Sequence, residues 1–281
     1  MGAQNANILN VINGNELILD ESSNDSNLGN QLSNFEIIRF YDFIGSNQEF
    51  RWSLAQVRSL LNKKIYLMQK ISGPFNPQII QIYIEQFKFL NQLNNPFIMK
   101  YFSIFQDNNN DVYLIKEFMD TDLGNFLKTH QNYNSKINEE EIWNILLQCL
   151  LGLNYLHKQN YSNLCIKLTN IFINDERNVK ICVFNSFPNS NDLNYNIKDD
   201  ILNLGNYFSK GLISNNYSKE LIEILNIMIN PNQNQRPDSI FLYNMALQFY
   251  VENYAKNSSI LSVIQCLFSY QNFNQLLSEN N

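Results

Sequence analysis

The hydrophobic periodicity of this 281-residue chain changes once along its length, near Asp122. Before that point apolar residues come in short alternating stretches, FEIIRFYDFIG and KKIYLMQKI and then FIMKYFSIFQDNNNDVYLIKEFM, broken by turn-forming residues. Such a period near two predicts antiparallel strands. One segment departs from it: QIIQIYIEQFKFLNQL places Ile80, Ile84, Phe87 and Leu90 at helical spacing, and Asn95-Pro96 stops it. After Asp122 the pattern becomes helical, first in LGNFLKTH and then in NEEEIWNILLQCLLGLNYLHK, which is apolar enough to be central. Asn138 is placed to cap that helix, and Glu139 to Glu141 lie at its positive end. Two short strand-like stretches follow, NIFIND and NVKICVF, before further helical segments starting at Asp199, Tyr217 and Asp238. The reading is an α+β chain with four parts. An Asn/Ser-rich, flexible segment covers 1–34; a β-rich lobe with one helix covers 35–120; a larger helical lobe covers 121–249; a helical extension covers 250–281.

Charge and composition exclude several functions. A net charge of −6 and a pI near 5.0 argue against a general nucleic-acid binder, which needs clustered Lys and Arg to neutralise phosphates. Four scattered cysteines and two histidines suggest neither a zinc site nor a disulfide framework. No apolar run is long enough to span a bilayer, and MGAQNANILN lacks a secretion signal, so the expected setting is the cytoplasm. Gly2 follows Met1, but Ala6 stands where a myristoylation signal prefers Ser or Thr.

Five strings, in order, carry a family resemblance. LNQLNNPFIMKYFSIFQDNNNDVYLIKEFMDTDLGNFL resembles the protein-kinase region from the αC helix through the hinge. GLNYLHKQNYSNLCIKLTNIFI resembles the helix and catalytic loop that follow, and NVKICVF is similar to the strand leading into D-F-G. DDILNLG resembles D-x-W-S-L-G, and NPNQNQRPDSI resembles the late Arg-Pro segment. The resemblance runs from about Phe35 to Phe249, is nearest in flavour to NIMA-related or calcium/calmodulin-type Ser/Thr kinases, and implies the bilobal protein-kinase fold.

Carried over residue by residue, the same resemblance implies a degenerate site. The catalytic-loop carboxylate position falls on Cys165, and a thiol cannot accept a hydroxyl proton in the manner of a carboxylate. Lys167 and Asn170 are retained. The metal-binding D-F-G position reads Val183-Phe184-Asn185, and valine has no oxygen for a hard cation. The strand lysine and αC glutamate positions hold Gln69 and Gln86, a neutral amide pair. Lys70 and Glu85 would replace them only after a one-residue slip, which on a strand points the side chain to the opposite face. The glycine-rich loop keeps Gly45 alone and adds Glu49, which would repel phosphate. Trp52 and Leu67 bring bulk to the two small positions of the adenine slot, and Lys116 takes the position before the hinge Glu117-Phe118-Met119. Only a short polar stretch separates Asn185 from Asp200, so the activation segment reads as shortened and Arg236 must find another acid.

The expectation is therefore a pseudokinase: not an enzyme, with no nucleotide or metal cofactor, serving as a protein-binding scaffold or a structural part of an assembly. Its expected partners are other proteins, with a cytoskeletal or ciliary assembly as the setting. The alternative is an atypical active Ser/Thr protein kinase with relocated catalytic groups. The apolar tail after Phe249 is expected to pack on the helical lobe or to bind a partner.

Overall fold

In a computed structural model of the chain, the residues described are 31–46, 50–132, 137–161, 166–184, 196–212 and 217–254. They divide into two compact units: one formed by the chain through Asp122 with Phe172–Glu176 and Lys180–Phe187, the other by the remainder.

The first unit is built on a five-stranded antiparallel sheet in the order β1-β2-β3-β5-β4. Its strands are β1 (Phe35–Ser46), β2 (Arg51–Ser59), β3 (Ile65–Ser72), β4 (Tyr101–Gln106) and β5 (Val112–Glu117). Lys63 in the β2–β3 turn and Asn110 in the β4–β5 turn take positive φ, and Asp107 Oδ1 accepts hydrogen bonds from the amides of Asn109 and Asp111. Cross-strand partners share a face, so the register divides the sheet cleanly. Ala55, Val57, Tyr66, Met68, Tyr113 and Ile115 form a core on one face. Leu54, Leu67, Gln69, Leu114, Lys116 and Tyr101 lie on the other.

Helix α1 (Pro77–Gln92) follows β3. Asn76 caps it, accepting from the Ile79 amide at 2.8 Å, and Pro77 occupies the first turn, where its missing N–H costs nothing. Its buried stripe is Ile80, Tyr83, Ile84, Phe87 and Leu90. The isolated bridge Ile98↔Ile181 ties the segment after α1 to the chain returning at residues 180–184.

A second, three-stranded sheet comprises β6 (Thr121–Asp122), β7 (Ile171–Ile173) and β8 (Val179–Ile181).

The second unit is helical: α2 (Leu123–Asn132), α3 (Glu139–Lys158), α4 (Ile197–Leu212), α5 (Lys219–Met228) and α6 (Ser239–Asn253). Helix α3 is buried along most of its circumference, as its continuous apolar sequence requires. Asn138 caps it as expected, acids fill its first turn, and His157 and Lys158 fill its last. It packs on α6, while α4 packs on α5 through Gly205. A Cβ at Gly205 would meet Met228 Cβ at 2.7 Å and Ile229 Cγ2 at 2.9 Å. Glycine is what allows these two helices to approach so closely.

Candidate functional site

The chemistry-bearing side chains of the first unit converge on Gln69 in β3. Its side chain is buried, and its Oε1 accepts a hydrogen bond from Lys116 Nζ at 2.7 Å. Lys116 lies on β5 directly across from Leu67, two residues before Gln69, so both side chains leave the same face. The lysine is only 1% exposed. It also points at Cys182 Sγ, 3.5 Å away, and its ammonium lies 5.5 Å from the centroid of the Phe172 ring. No carboxylate among the described residues pairs with it. Burying an ammonium is costly unless hydrogen bonds and opposite charge compensate it, and this lysine has only the former.

Tyr101 closes the arrangement from β4. Its buried hydroxyl accepts from the amides of both Val183 and Phe184 at 3.2 Å and lies 3.4 Å from Cys182 Sγ. With two N–H groups donating to it, the hydroxyl is left to donate to the sulfur. Burial holds the Tyr101 phenol well above the usual tyrosine range, with Cys182 adding to the effect. The ring of Phe184 sits between those of Tyr83 and Tyr101, with centroid distances of 5.4 and 5.7 Å. Gln86, on α1, donates from Nε2 to the Val183 carbonyl at 3.5 Å. Both glutamines therefore lie beside the residues that the resemblance places around a nucleotide.

Lys70 is turned away from this cluster. It bonds Asp111 at 2.6 Å, with its cross-strand partner Tyr113 on the opposite face from Gln69, so β3 keeps the unslipped register. Glu85 accepts from Gln81 on the surface of α1. Leu67 is wholly buried and Trp52 partly so; Leu54, not singled out from sequence, is buried directly across from Gln69. In the hinge region Glu117 pairs with Lys180 at 2.9 Å, and Met119 is buried.

In the helical unit, Lys167 is exposed and Asn170 is buried in the turn Leu168–Asn170, its amide donating to the Lys167 carbonyl at 2.9 Å. Buried Asp200 meets His157 Nε2 at 3.1 Å, and Ser239 Oγ lies 3.4 Å from Nδ1 of the same ring. Arg236 finds its acid in Asp199, at 3.1 Å, and also donates to the Lys198 carbonyl. Cys165, Glu49, Asn185 and the shortened stretch through residue 195 lie outside the described residues.

A divalent cation of the kind kinases use does not fit at Val183, which offers no side-chain oxygen. Among the described residues no cluster of three His, Cys, Asp or Glu side chains could hold one.

Residues 53–187 match the family described as protein kinase domain. The fold is that of a protein kinase. Its β-sheet lobe and helical lobe agree with the architecture expected from sequence, and the curated relatives agree with the superfamily. "Probable serine/threonine-protein kinase mkcD" of Dictyostelium discoideum is 33% identical over 101 residues, 36% of this chain and 15% of that protein. "Mitosis inhibitor protein kinase SWE1" of Candida albicans is 42% identical over 82 residues, 29% of this chain and 7% of that protein. "Mitogen-activated protein kinase 5" of Oryza sativa subsp. indica is 37% identical over 75 residues, 27% of this chain and 19% of that protein. The chain thus spans less than a fifth of the length of each of these relatives.

These findings correct the expectation that the chain is not an enzyme: the kinase-domain match and relatives that all carry kinase names point to a protein kinase enzyme. The expectation rested on reading each position alone, with Gln69, Gln86, Val183 and Cys165 counted as losses. A side chain from the adjacent strand reaches the position that Gln69 leaves uncharged. That contact depends on the register of β3 against β5.

Proposed function

We propose that the chain is a protein kinase of atypical build, transferring a phosphoryl group from a nucleotide to a Ser or Thr hydroxyl of another protein, with Lys116 replacing the missing strand lysine. The observation that carries this reading is the 2.7 Å contact between Lys116 Nζ and Gln69 Oε1. Phosphoryl transfer depends chiefly on positioning and on charge stabilisation. A buried ammonium lacking a carboxylate partner among the described residues offers its charge to an incoming phosphate, and low local polarity strengthens that attraction. Gln69 holds the ammonium in place, and the Tyr101 hydroxyl fixes the backbone of Val183 and Phe184 beside it. Lys167, exposed in the helical unit, is kept where the sequence resemblance implies a catalytic-loop lysine. A NIMA-related or calmodulin-type flavour, and partners within a cytoskeletal or ciliary assembly, belong to the same proposal and rest on the sequence resemblance alone.

The test is transfer of labelled phosphate from ATP to the chain itself and to a generic protein substrate. Wild type should incorporate label, and Lys116→Met and Lys167→Ala should each lower the rate about a hundredfold while keeping the wild-type circular dichroism spectrum. Incorporation by wild type no faster than by folded Lys116→Met would refute the proposal.

A further inference from the structure

Strand β1 is an edge of the five-stranded sheet: among the described residues it has a neighbour on one side only, β2. Its first six residues, Phe35-Glu36-Ile37-Ile38-Arg39-Phe40, read as a palindrome in which a reversed copy sets Glu against Arg and an aromatic or aliphatic residue against its like. On a regular strand this pattern would be useless for self-pairing, because Glu36 and Arg39 would face opposite sides. The structure removes that obstacle. A register shift between Ile37 and Arg39 makes Glu36 pair with Arg58 and Arg39 with Gln56, two β2 positions of the same face. The same shift leaves Phe35, Ile37 and Phe40 together on the other face, opposite Ser59, Val57 and Ala55.

The edge is apolar where a solitary edge would be charged. Ile37, Ile38 and Phe40 are 44%, 40% and 68% exposed. Long apolar edges recruit another strand unless they are blocked.

We infer that β1 is a self-association edge, pairing antiparallel with β1 of a second copy of this chain about a two-fold axis between Ile37 and Ile38, so that Glu36 of each copy faces Arg39 of the other. The charge pattern selects this occupant. Identical strands in antiparallel register set Glu36 against Arg39, and the two-fold axis supplies this ion pair twice, as an isologous dimer requires. Glu36 already bonds Arg58 at 3.0 Å on the exposed surface, and Arg39 rests on the Tyr41 ring at 4.6 Å, so both groups are held at the edge.

Analytical ultracentrifugation of the full chain tests this, using two charge variants. Wild type should sediment as a concentration-dependent dimer of twice 33.0 kDa. Glu36→Arg alone and Arg39→Glu alone bring like charges together at both pairs and should each weaken the dimer about tenfold. An equimolar mixture of the two variants restores both opposite-charge pairs and should recover wild-type association. Thermal melting of each variant confirms that the fold is kept. A wild type that remains monomeric at every attainable concentration, or a dimer that both variants leave unchanged, overturns the inference.

Discussion

Lys116 and Gln69 meet diagonally across the β3–β5 ladder with 2.7 Å between Nζ and Oε1, a neutral acceptor holding a buried cation. Restoring a lysine at position 69 would therefore set a second ammonium beside the first. Gln69→Lys should lower stability by about 3–5 kcal/mol, the range for an uncompensated buried charge. Gln69→Lys combined with Lys116→Met should return close to wild type. Urea denaturation midpoints of the single and double variants measure this, and a Gln69→Lys protein as stable as wild type would count against the arrangement.

Tyr101→Phe removes one oxygen and leaves the buried amides of Val183 and Phe184 without their shared acceptor. Each buried unsatisfied donor costs about 1–3 kcal/mol, so a loss of about 2–4 kcal/mol is expected from this single-atom change. The comparison is with Tyr113→Phe, whose partly buried hydroxyl donates to Asp107. That variant should lose no more than about 1.5 kcal/mol, and equal losses would mean that the Tyr101 oxygen has no special place.

Gly205→Ala should destabilise the helical unit despite alanine's better helix propensity. The added methyl meets Met228 Cβ and the Ile229 side chain below 3 Å, and overpacking of this kind costs about 1–3 kcal/mol against about 1 kcal/mol of propensity gained. A melting temperature above that of wild type would show that α4 and α5 can move apart freely.

The Lys70–Asp111 pair predicts a small pH dependence. Its hydrogen bond to Asp111 raises the Lys70 pKa despite some opposing burial, and although burial pushes the Asp111 carboxyl up, the Lys70 and Ser72 hydrogen bonds outweigh it and lower that pKa. The carboxylate's contribution is thus present above its unfolded pKa and is lost as pH falls through the depressed folded value. The lysine's contribution is present below 10.5, its ordinary value, and is lost as pH rises through the elevated one. Because Lys70 is well exposed, the whole effect should stay below about 1 kcal/mol. Stability of wild type minus Asp111→Asn, measured across pH, should be flat near neutrality and shrink at both extremes; a maximum confined to one extreme would contradict it.

The elements themselves were legible because local rules suffice for them. Period-two alternation marked β1 to β5, the spacing of Ile80, Ile84, Phe87 and Leu90 marked α1, and Asn138 marked the start of α3. The retained register of β3, with Lys70 turned from Gln69, followed from the same alternation. What escaped was which partner a side chain finds far away in sequence. Lys116 reaches Gln69 across 47 positions, and Tyr101 reaches Phe184 across 83. The register shift that aligns Glu36 with Arg39 is a backbone irregularity with no glycine or proline to announce it. Substituted residues can be recognised one at a time, whereas a charge delivered from the next strand depends on pairing that only the folded sheet provides.

The Tyr101 hydroxyl also sets when the segment after β8 can open. The amides of Val183 and Phe184 end on an oxygen carried by β4, which is laddered to β5, so they cannot reach solvent unless that side chain withdraws with its strand. In hydrogen exchange these two amides should therefore share the slow rate of the β4–β5 ladder. They would belong to the cooperative unit of the sheet, not to the loop in which they lie in sequence.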